Sequence, residues 1–223
     1  MANNRRGNVR AFVFDLDGTV IDSKMDLVYS VNAMLRELGR HELPPEKVAS
    51  YIGHGASQLI ASSLGADASE EERREGLAIF LAHYAEHKLD QTRPYPGVAE
   101  ALDALAGHPM AVLTNKPTQL SVEILEGLGL AKFFRAIHGA DSFEKRKPDP
   151  SGALSIVNEL SATPAESAMV GDSDVDMQTA RNAGMMAIGV SYGFGQHDPA
   201  AHPADLYIDR LTDLLALTGN HGR

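Results

Sequence analysis

The stretch Ala11-Phe12-Val13-Phe14-Asp15-Leu16-Asp17-Gly18-Thr19 decides how the chain reads. An apolar run with no polar interruption leads straight into two aspartates, and a glycine follows at once. A run this short and unalternating is a strand buried on both faces, as in a parallel sheet. The two carboxylates then leave the sheet at its carboxyl edge, where open α/β sheets bind ligands. Alone, an Asp-x-Asp pair reads as a solvated loop or a helix cap. The rest of the chain has to change those odds.

Working outward, further short apolar runs occupy residues 111–114, Ala136–His138, 168–170, Met186–Val190 and 205–208, bounded by Asp, Gly, Asn or Pro. From residue 94 onward helix-length segments separate them. Thr163-Pro164-Ala165-Glu166 places a cap residue, a first-turn proline and a glutamate at capping-box spacing, and the turn it opens leads into the strand at Ala168. This alternation predicts a doubly wound, Rossmann-like parallel-sheet α/β domain.

Residues 24–93 break the alternation, and no strand is expected there. Leu27, Val31, Met34, Leu35 and Leu38 recur at helical spacing. Pro44-Pro45-Glu46 opens a second helix. Gly53-His54-Gly55 precedes a third over Ala56–Leu64, and a Ser69/Glu72 capping box starts a fourth that runs to about His87. A helical stretch this long is a subdomain rather than a loop. The expected division is an α/β core of residues 8–22 and 94–218, a small helical cap of 23–93, and loose ends at 1–7 and 219–223. The second boundary falls at Arg93-Pro94-Tyr95-Pro96-Gly97.

Composition narrows the function. The 223 residues suit one large domain or one domain carrying an insert. With 43 % hydrophobic residues, the chain has the apolar content of a globular protein rather than a disordered one. A net charge of −10 argues against a nucleic-acid partner held by a basic surface, and it requires local groups to hold any anionic substrate. The absence of cysteine excludes disulfides, thiolate metal sites and a cysteine nucleophile. No stretch approaches the roughly 18 apolar residues of a membrane span. The first apolar run is shorter than the roughly 7–15 residues of a signal-peptide core. The expectation is a cytoplasmic protein without a membrane partner; the oligomeric state stays open.

The strand ends supply the constellation. Thr114-Asn115 follows the second run, Lys147-Pro148-Asp149-Pro150 lies beyond the third, and Gly171-Asp172-Ser173-Asp174-Val175-Asp176 ends the fourth. In a parallel sheet these ends share one crevice. Several close carboxylates cannot all stay ionised without compensation. A hard cation such as Mg²⁺, with oxygen ligands and phosphate oxygens, compensates them. Lys147 and Thr114 suit phosphate oxygens. The set describes phosphoryl transfer to an aspartate.

At residues 11–217 the chain resembles the haloacid dehalogenase superfamily of phosphatases. Phe14-Asp15-Leu16-Asp17-Gly18-Thr19 is similar to the first motif of that family, Val112-Leu113-Thr114-Asn115 to the second, Lys147-Pro148 to the third, and Gly171-Asp172-Ser173 with Asp176 to the fourth. The helical insertion resembles the small helical cap of the family. Within the superfamily the chain looks most like the phosphoglycolate phosphatases: FDLDGTVIDS over residues 14–23, Thr114-Asn115-Lys116-Pro117, Tyr51-Ile52-Gly53-His54-Gly55 and Ser191-Tyr192-Gly193. Where those enzymes carry asparagine this chain has His54, which leaves the non-phosphate end of the substrate open.

The resemblance implies roles. Asp15 is the nucleophile and a Mg²⁺ ligand. Asp17 is the general acid and base, and its carbonyl a further ligand. Asp172 is the second metal carboxylate, with Asp176 one helical turn on as its support. Thr114, Asn115, Gly18 and Thr19 face the phosphoryl group, and Lys147 neutralises its charge. Gly53, His54 and Gly55 are candidates to touch the small phosphorylated metabolite from the cap, with an inter-helix loop as the alternative. Ser173 is expected to cap the helix that follows it. Asp22 reads equally as a cap or a substrate contact, and Asp174 has no preferred role. Lys116, Lys145 and Arg146 read as solvated surface charges. His83 and His87, at i, i+4 spacing, read as an exposed helix face rather than a metal site.

The implied activity is hydrolysis of 2-phosphoglycolate through an aspartyl-phosphate. Pyrophosphatases and sugar-phosphate phosphatases share the finer matches, and phosphomutases reuse the same groups. Response-regulator receiver domains also hold Asp, Thr and Lys at strand ends. The cap, Asp17 and Asp172 argue against that reading.

Overall fold

The computed structural model describes residues 9–195 and 197–218, so the expected loose ends at 1–7 and 219–223 lie outside the described residues. Six strands form one sheet: β1 (Ala11–Phe14), β4 (Met110–Leu113), β5 (Ala136–His138), β6 (Ser167–Gly171), β7 (Met186–Val190) and β8 (Leu206–Ile208). Their order is β5-β4-β1-β6-β7-β8, and every neighbouring pair is parallel. Every residue of β1, β4, β6 and β7 is buried, as the uninterrupted apolar runs require.

Side chains alternate between the two faces of the sheet. Phe12, Phe14, Val112, Val170 and Ile188 pack on one side with α5 (Val98–Ala104) and α6 (Thr118–Gly127). Val13, Ala111, Leu113 and Met169 pack on the other with α7 (Ser151–Glu159) and α8 (Asp174–Ala183). The core is thus wound on both faces, with β1 in the middle.

Between β1 and α5 lie four helices: α1 (Lys24–Glu37), α2 (Pro45–Ala49), α3 (Ala56–Leu64) and α4 (Glu70–His87). Val31, Met34, Ile60, Phe80 and Tyr84 form their shared interior, continuous with the apolar face of the sheet. Ser69 accepts the Glu72 N–H at 3.1 Å and so caps α4. The Glu72 carboxylate reaches Arg40 instead of returning to Ser69, so only half of the expected capping box forms. Thr163 likewise binds the Glu166 side chain at 2.7 Å, ahead of a single 3₁₀ turn over Pro164–Glu166.

The expectation of no strand within 24–93 fails at its last residue. β2 (Ile21–Asp22) pairs antiparallel with β3 (Arg93–Pro94), setting Ile21 opposite Pro94 and Asp22 opposite Arg93. Two-residue strands carry no periodicity, so local sequence could not show them. The expected strands at 111–114 and 205–208 are also shifted. Thr114 falls just past β4. Asp205 lies outside β8 and accepts the Ala187 N–H at 2.9 Å.

The return to the core is pinned by Asp26, a residue of α1 that is buried. Its carboxylate accepts the backbone N–H of Gln91 at 2.9 Å, the backbone N–H of Thr92 at 2.8 Å, and the Thr92 hydroxyl at 2.7 Å. Asp26→Ala strands these donors and is expected to lower the unfolding free energy by about 2–4 kcal/mol in a denaturant titration. A loss below about 1 kcal/mol would mean that the β2–β3 pairing holds the return unaided.

Candidate active site

β1 delivers Asp15 to the centre of the carboxyl edge, and its neighbours β4 and β6 deliver Thr114 and Asp172 on either side. Lys147 arrives from the loop before α7, and Asp176 from the first turn of α8. Single oxygens of Asp15, Asp172 and Asp176 lie within 4.8 Å of one another, and all three residues are buried. Gly18 makes the close turn beside them with φ +85°. A Cβ there would lie 1.9 Å from Asp172 Oδ2, so only glycine leaves room for that carboxylate.

Each carboxylate has different partners. Asp172 Oδ2 accepts the N–H groups of Phe194 at 3.0 Å and Gly195 at 2.6 Å. Asp176 Oδ1 takes the Lys147 ammonium at 2.6 Å. Its Oδ2 takes the Ser173 N–H at 3.1 Å and hydroxyl at 2.6 Å, while Ser173 caps α8 as expected. Lys147 Nζ also lies 2.8 Å from Asp15 Oδ1, without the alignment of a hydrogen bond, so that buried oxygen has no donor among the described residues.

Burial pushes the Asp15 carboxyl up to about 6, with Asp176 and Asp17 adding to the rise and Lys147 opposing it. Burial pushes Asp172 up to about 8, reinforced by Asp176 and Asp15. Burial alone would lower Lys147. The carboxylates of Asp15 and Asp176 more than offset that and hold its ammonium above the ordinary lysine range. Three carboxylates share one buried ammonium. The donor-free oxygen of Asp15 and the strained charge of Asp172 therefore fit a hard divalent cation with oxygen ligands. Asp176 is already committed to Lys147 and Ser173.

Asp17 turns away from this cluster. Both of its oxygens bind Lys116 Nζ, at 2.9 and 2.8 Å, and Ser23 Oγ donates to Oδ1. This corrects the reading of Lys116 as a solvated charge. Lys145 and Arg146 are exposed, but Lys116 is buried, with its ammonium 4.6 Å from the centre of the Tyr84 ring. The inserted α4 brings Tyr84 over the strand end and shuts out water. The signal available in the sequence was its position directly after Thr114-Asn115, at a strand end that opens into the crevice. Burial would lower the Lys116 ammonium, yet the Asp17 carboxylate holds it above the usual range.

Asp15, Asp17, Thr114 and Lys116 face a pocket of about 50 Å³ that the insert closes with Ile52, Leu59, Phe80 and Tyr84. Thr114 Oγ1 accepts the Lys116 N–H at 3.2 Å. The Asn115 side chain fastens three strands of chain together. Its Nδ2 donates to the Gly53 carbonyl at 2.9 Å and the Lys147 carbonyl at 3.2 Å, and its Oδ1 accepts the Lys147 N–H at 3.1 Å.

The remaining candidates scatter. Gly53 and Gly55 line the pocket, whereas the His54 side chain is exposed and outside its wall. Gly18 and Thr19 pack against Asp172 rather than the pocket. Asp22 is exposed, and its Oδ1 accepts the Lys24 N–H at 3.2 Å where α1 begins. Asp174 pairs with His197 at 2.8 Å. His83 and His87 stack at 4.3 Å and turn to Ser30 and Asp90, and they belong to no metal-type cluster among the described residues.

A doubly wound sheet with an acidic crevice at its carboxyl ends and a helical insertion after its first strand defines a capped, Rossmann-like α/β protein. Residues 12–190 match the family model for haloacid dehalogenase-like hydrolases, and the chain belongs to that family. It is 40 % identical over 215 residues to a phosphoglycolate phosphatase from Pseudomonas putida KT2440, covering 92 % of this chain and 78 % of the relative. It is 36 % identical over 217 residues to one from Vibrio parahaemolyticus, covering 93 % and 95 %. A crystal structure from Haemophilus somnus 129PT, described as a predicted phosphoglycolate phosphatase, superposes with a TM-score of 0.89 at 30 % identity, covering 95 % of this chain and 98 % of that one. The protein is a phosphatase, a phosphoric monoester hydrolase. Among the described residues no helix is long and apolar enough to cross a membrane.

Asn115→Ala should loosen the clasp on the pocket loop. The expected result is a loss of about 1–3 kcal/mol in stability. Amide exchange should also rise more over residues 53–57 than over β6. Unchanged exchange at 53–57 would show that the loop is held by other contacts.

Proposed function

We propose that the protein is a Mg²⁺-dependent phosphatase that hydrolyses a small phosphomonoester, 2-phosphoglycolate, through an aspartyl-phosphate on Asp15. The observation that carries this reading is the position of Asp15. It is buried at the end of β1, has a donor-free oxygen, lies beside the Lys147 ammonium and opens onto the pocket under the helical insert. The names of the similar enzymes from Pseudomonas putida and Vibrio parahaemolyticus support the substrate.

In this reading Asp15 attacks phosphorus in line, and the bond from phosphorus to the ester oxygen breaks. Asp17 gives a proton to the departing alkoxide. It then takes one from the water that attacks the aspartyl-phosphate and releases inorganic phosphate. Thr114 Oγ1, the Asn115 N–H and Lys147 hold the phosphoryl oxygens, and Asp176 positions Lys147. Asp15, Asp172 and the Asp17 carbonyl would hold Mg²⁺. When bound, the ion supplies positive charge to the phosphoryl oxygens and relieves the carboxylate repulsion. Residues 23–93 serve as the cap that excludes bulk water and limits substrate size.

Asp15→Asn is expected to lower turnover by at least about 1,000-fold while circular dichroism stays unchanged. Near-native turnover in that variant would remove Asp15 from the nucleophile role. Wild-type catalytic efficiencies on 2-phosphoglycolate, pyrophosphate and glucose 6-phosphate should favour the first and vanish with a chelator. Preference for either of the others would overturn the substrate.

The carboxylates also predict a pH-dependent response to Mg²⁺. Asp172 titrates at about 8 in the fold against 3.8 ordinarily. Its contribution to stability is therefore fully present below the lower value and is lost as pH rises through the upper one. Bound Mg²⁺ replaces the proton, so its stabilising effect grows with pH. The gap in Tm between Mg²⁺ and chelator should widen by several degrees from near pH 5.5 to near pH 8.5. An equal gap at both would show that Asp172 is not a ligand.

A further inference from the structure

Among the described residues that line the pocket, Lys116 is the only cation. Lys147 lies outside that lining, paired with Asp15 and Asp176, and in the proposed reaction it meets the phosphoryl group. The net charge of −10 repels anions, so an anionic group that enters must be met locally. A buried ammonium is costly unless it is paired, and the Lys116 partners are both oxygens of Asp17 and the face of Tyr84. Tyr84 adds a second polar group beside the first. Its hydroxyl is buried on the same wall, close enough to the Lys116 ammonium for the two to interact, and it makes no aligned hydrogen bond among the described residues. Around these two donors the wall is apolar, with Leu27, Leu59, Phe80 and Leu81. An ammonium and a hydroxyl converging in an apolar wall are the donor set for a carboxylate.

We propose that Lys116, assisted by the Tyr84 hydroxyl, is the specificity-determining group that takes the carboxylate of the substrate, and that it does so by exchanging Asp17 for it. The inference rests on the reading of the site as a phosphatase for a carboxylate-bearing ester. In the structure Lys116 occupies both oxygens of Asp17, and Ser23 occupies one of them as well. A carboxylate beside Lys116 offers the ammonium an equivalent partner. The exchange frees Asp17 to face the leaving oxygen. Only the partner of an ion pair changes, and no covalent bond is made or broken. A neutral ester of the same size enters the pocket but cannot draw Lys116 away, so it is discriminated against in turnover as well as in binding.

The test compares kcat/KM for 2-phosphoglycolate and for ethyl phosphate, which has a methyl group in place of the carboxylate. The wild type should favour 2-phosphoglycolate. Lys116→Met should cut that preference by about 10- to 100-fold. Lys116→Arg, which keeps the charge, should retain most of it, and Tyr84→Phe should reduce it several-fold. Equal losses on both esters in Lys116→Met would leave Lys116 as a positioning residue for Asp17 and overturn the proposal. A wild type with no preference between the esters overturns the substrate reading and this inference with it. A wild-type preference that the variants retain overturns this inference alone. Circular dichroism checks each fold. If Lys116→Met does not fold, Tyr84→Phe decides, and an unchanged preference there overturns the proposal.

Discussion

Everything at the carboxyl edge of the sheet depends on one buried ammonium shared among carboxylates. Lys147 sits 2.8 Å from Asp15 and 2.6 Å from Asp176, with Asp172 in the same cluster. Removing so much charge from water is unfavourable, and one cation does not neutralise three anions. Burial first, and the neighbouring carboxylates after it, raise the proton affinity of Asp15 and Asp172. The fold carries this cost at its centre because β1, flanked by β4 and β6, leaves the aspartates nowhere else to go. Charge held under such tension suits a site that works on a doubly charged phosphoryl group.

A second ion pair divides the labour between two aspartates that are close neighbours in the chain. Asp15 faces Lys147, and Asp17 faces Lys116. The first pair belongs to the core alone. The second is completed by the insert, because Tyr84 of α4 closes over Lys116. The Asp17–Lys116 pair is therefore enclosed by the core and the helices together. The Asn115 bond to the Gly53 carbonyl links the same two regions at the rim of the pocket.

The insert is anchored where it leaves and rejoins the sheet domain. The antiparallel pair of β2 and β3 brings the two crossings side by side, and Asp26 gathers the backbone donors of the returning chain.

Much of this was legible in the sequence, for local reasons. Apolar runs too short and too uniform for helices marked the strands, proline and serine marked helix starts, and the Asp, Thr, Lys and Asp at successive strand ends converge once the sheet is parallel. The third helix was read at Ala56–Leu64 and lies there. What only the tertiary structure decided was partnership. Lys116 and Asp17 are 99 positions apart, and Asp26 and Thr92 are 66 apart. No periodicity or cap signal spans such distances, and a lysine beside a strand end looks the same whether water or a tyrosine ring covers it. Burial set which ammonium each aspartate would meet. The sequence determined which groups reach the crevice, because that follows from strand ends, and packing determined how their charges are paired.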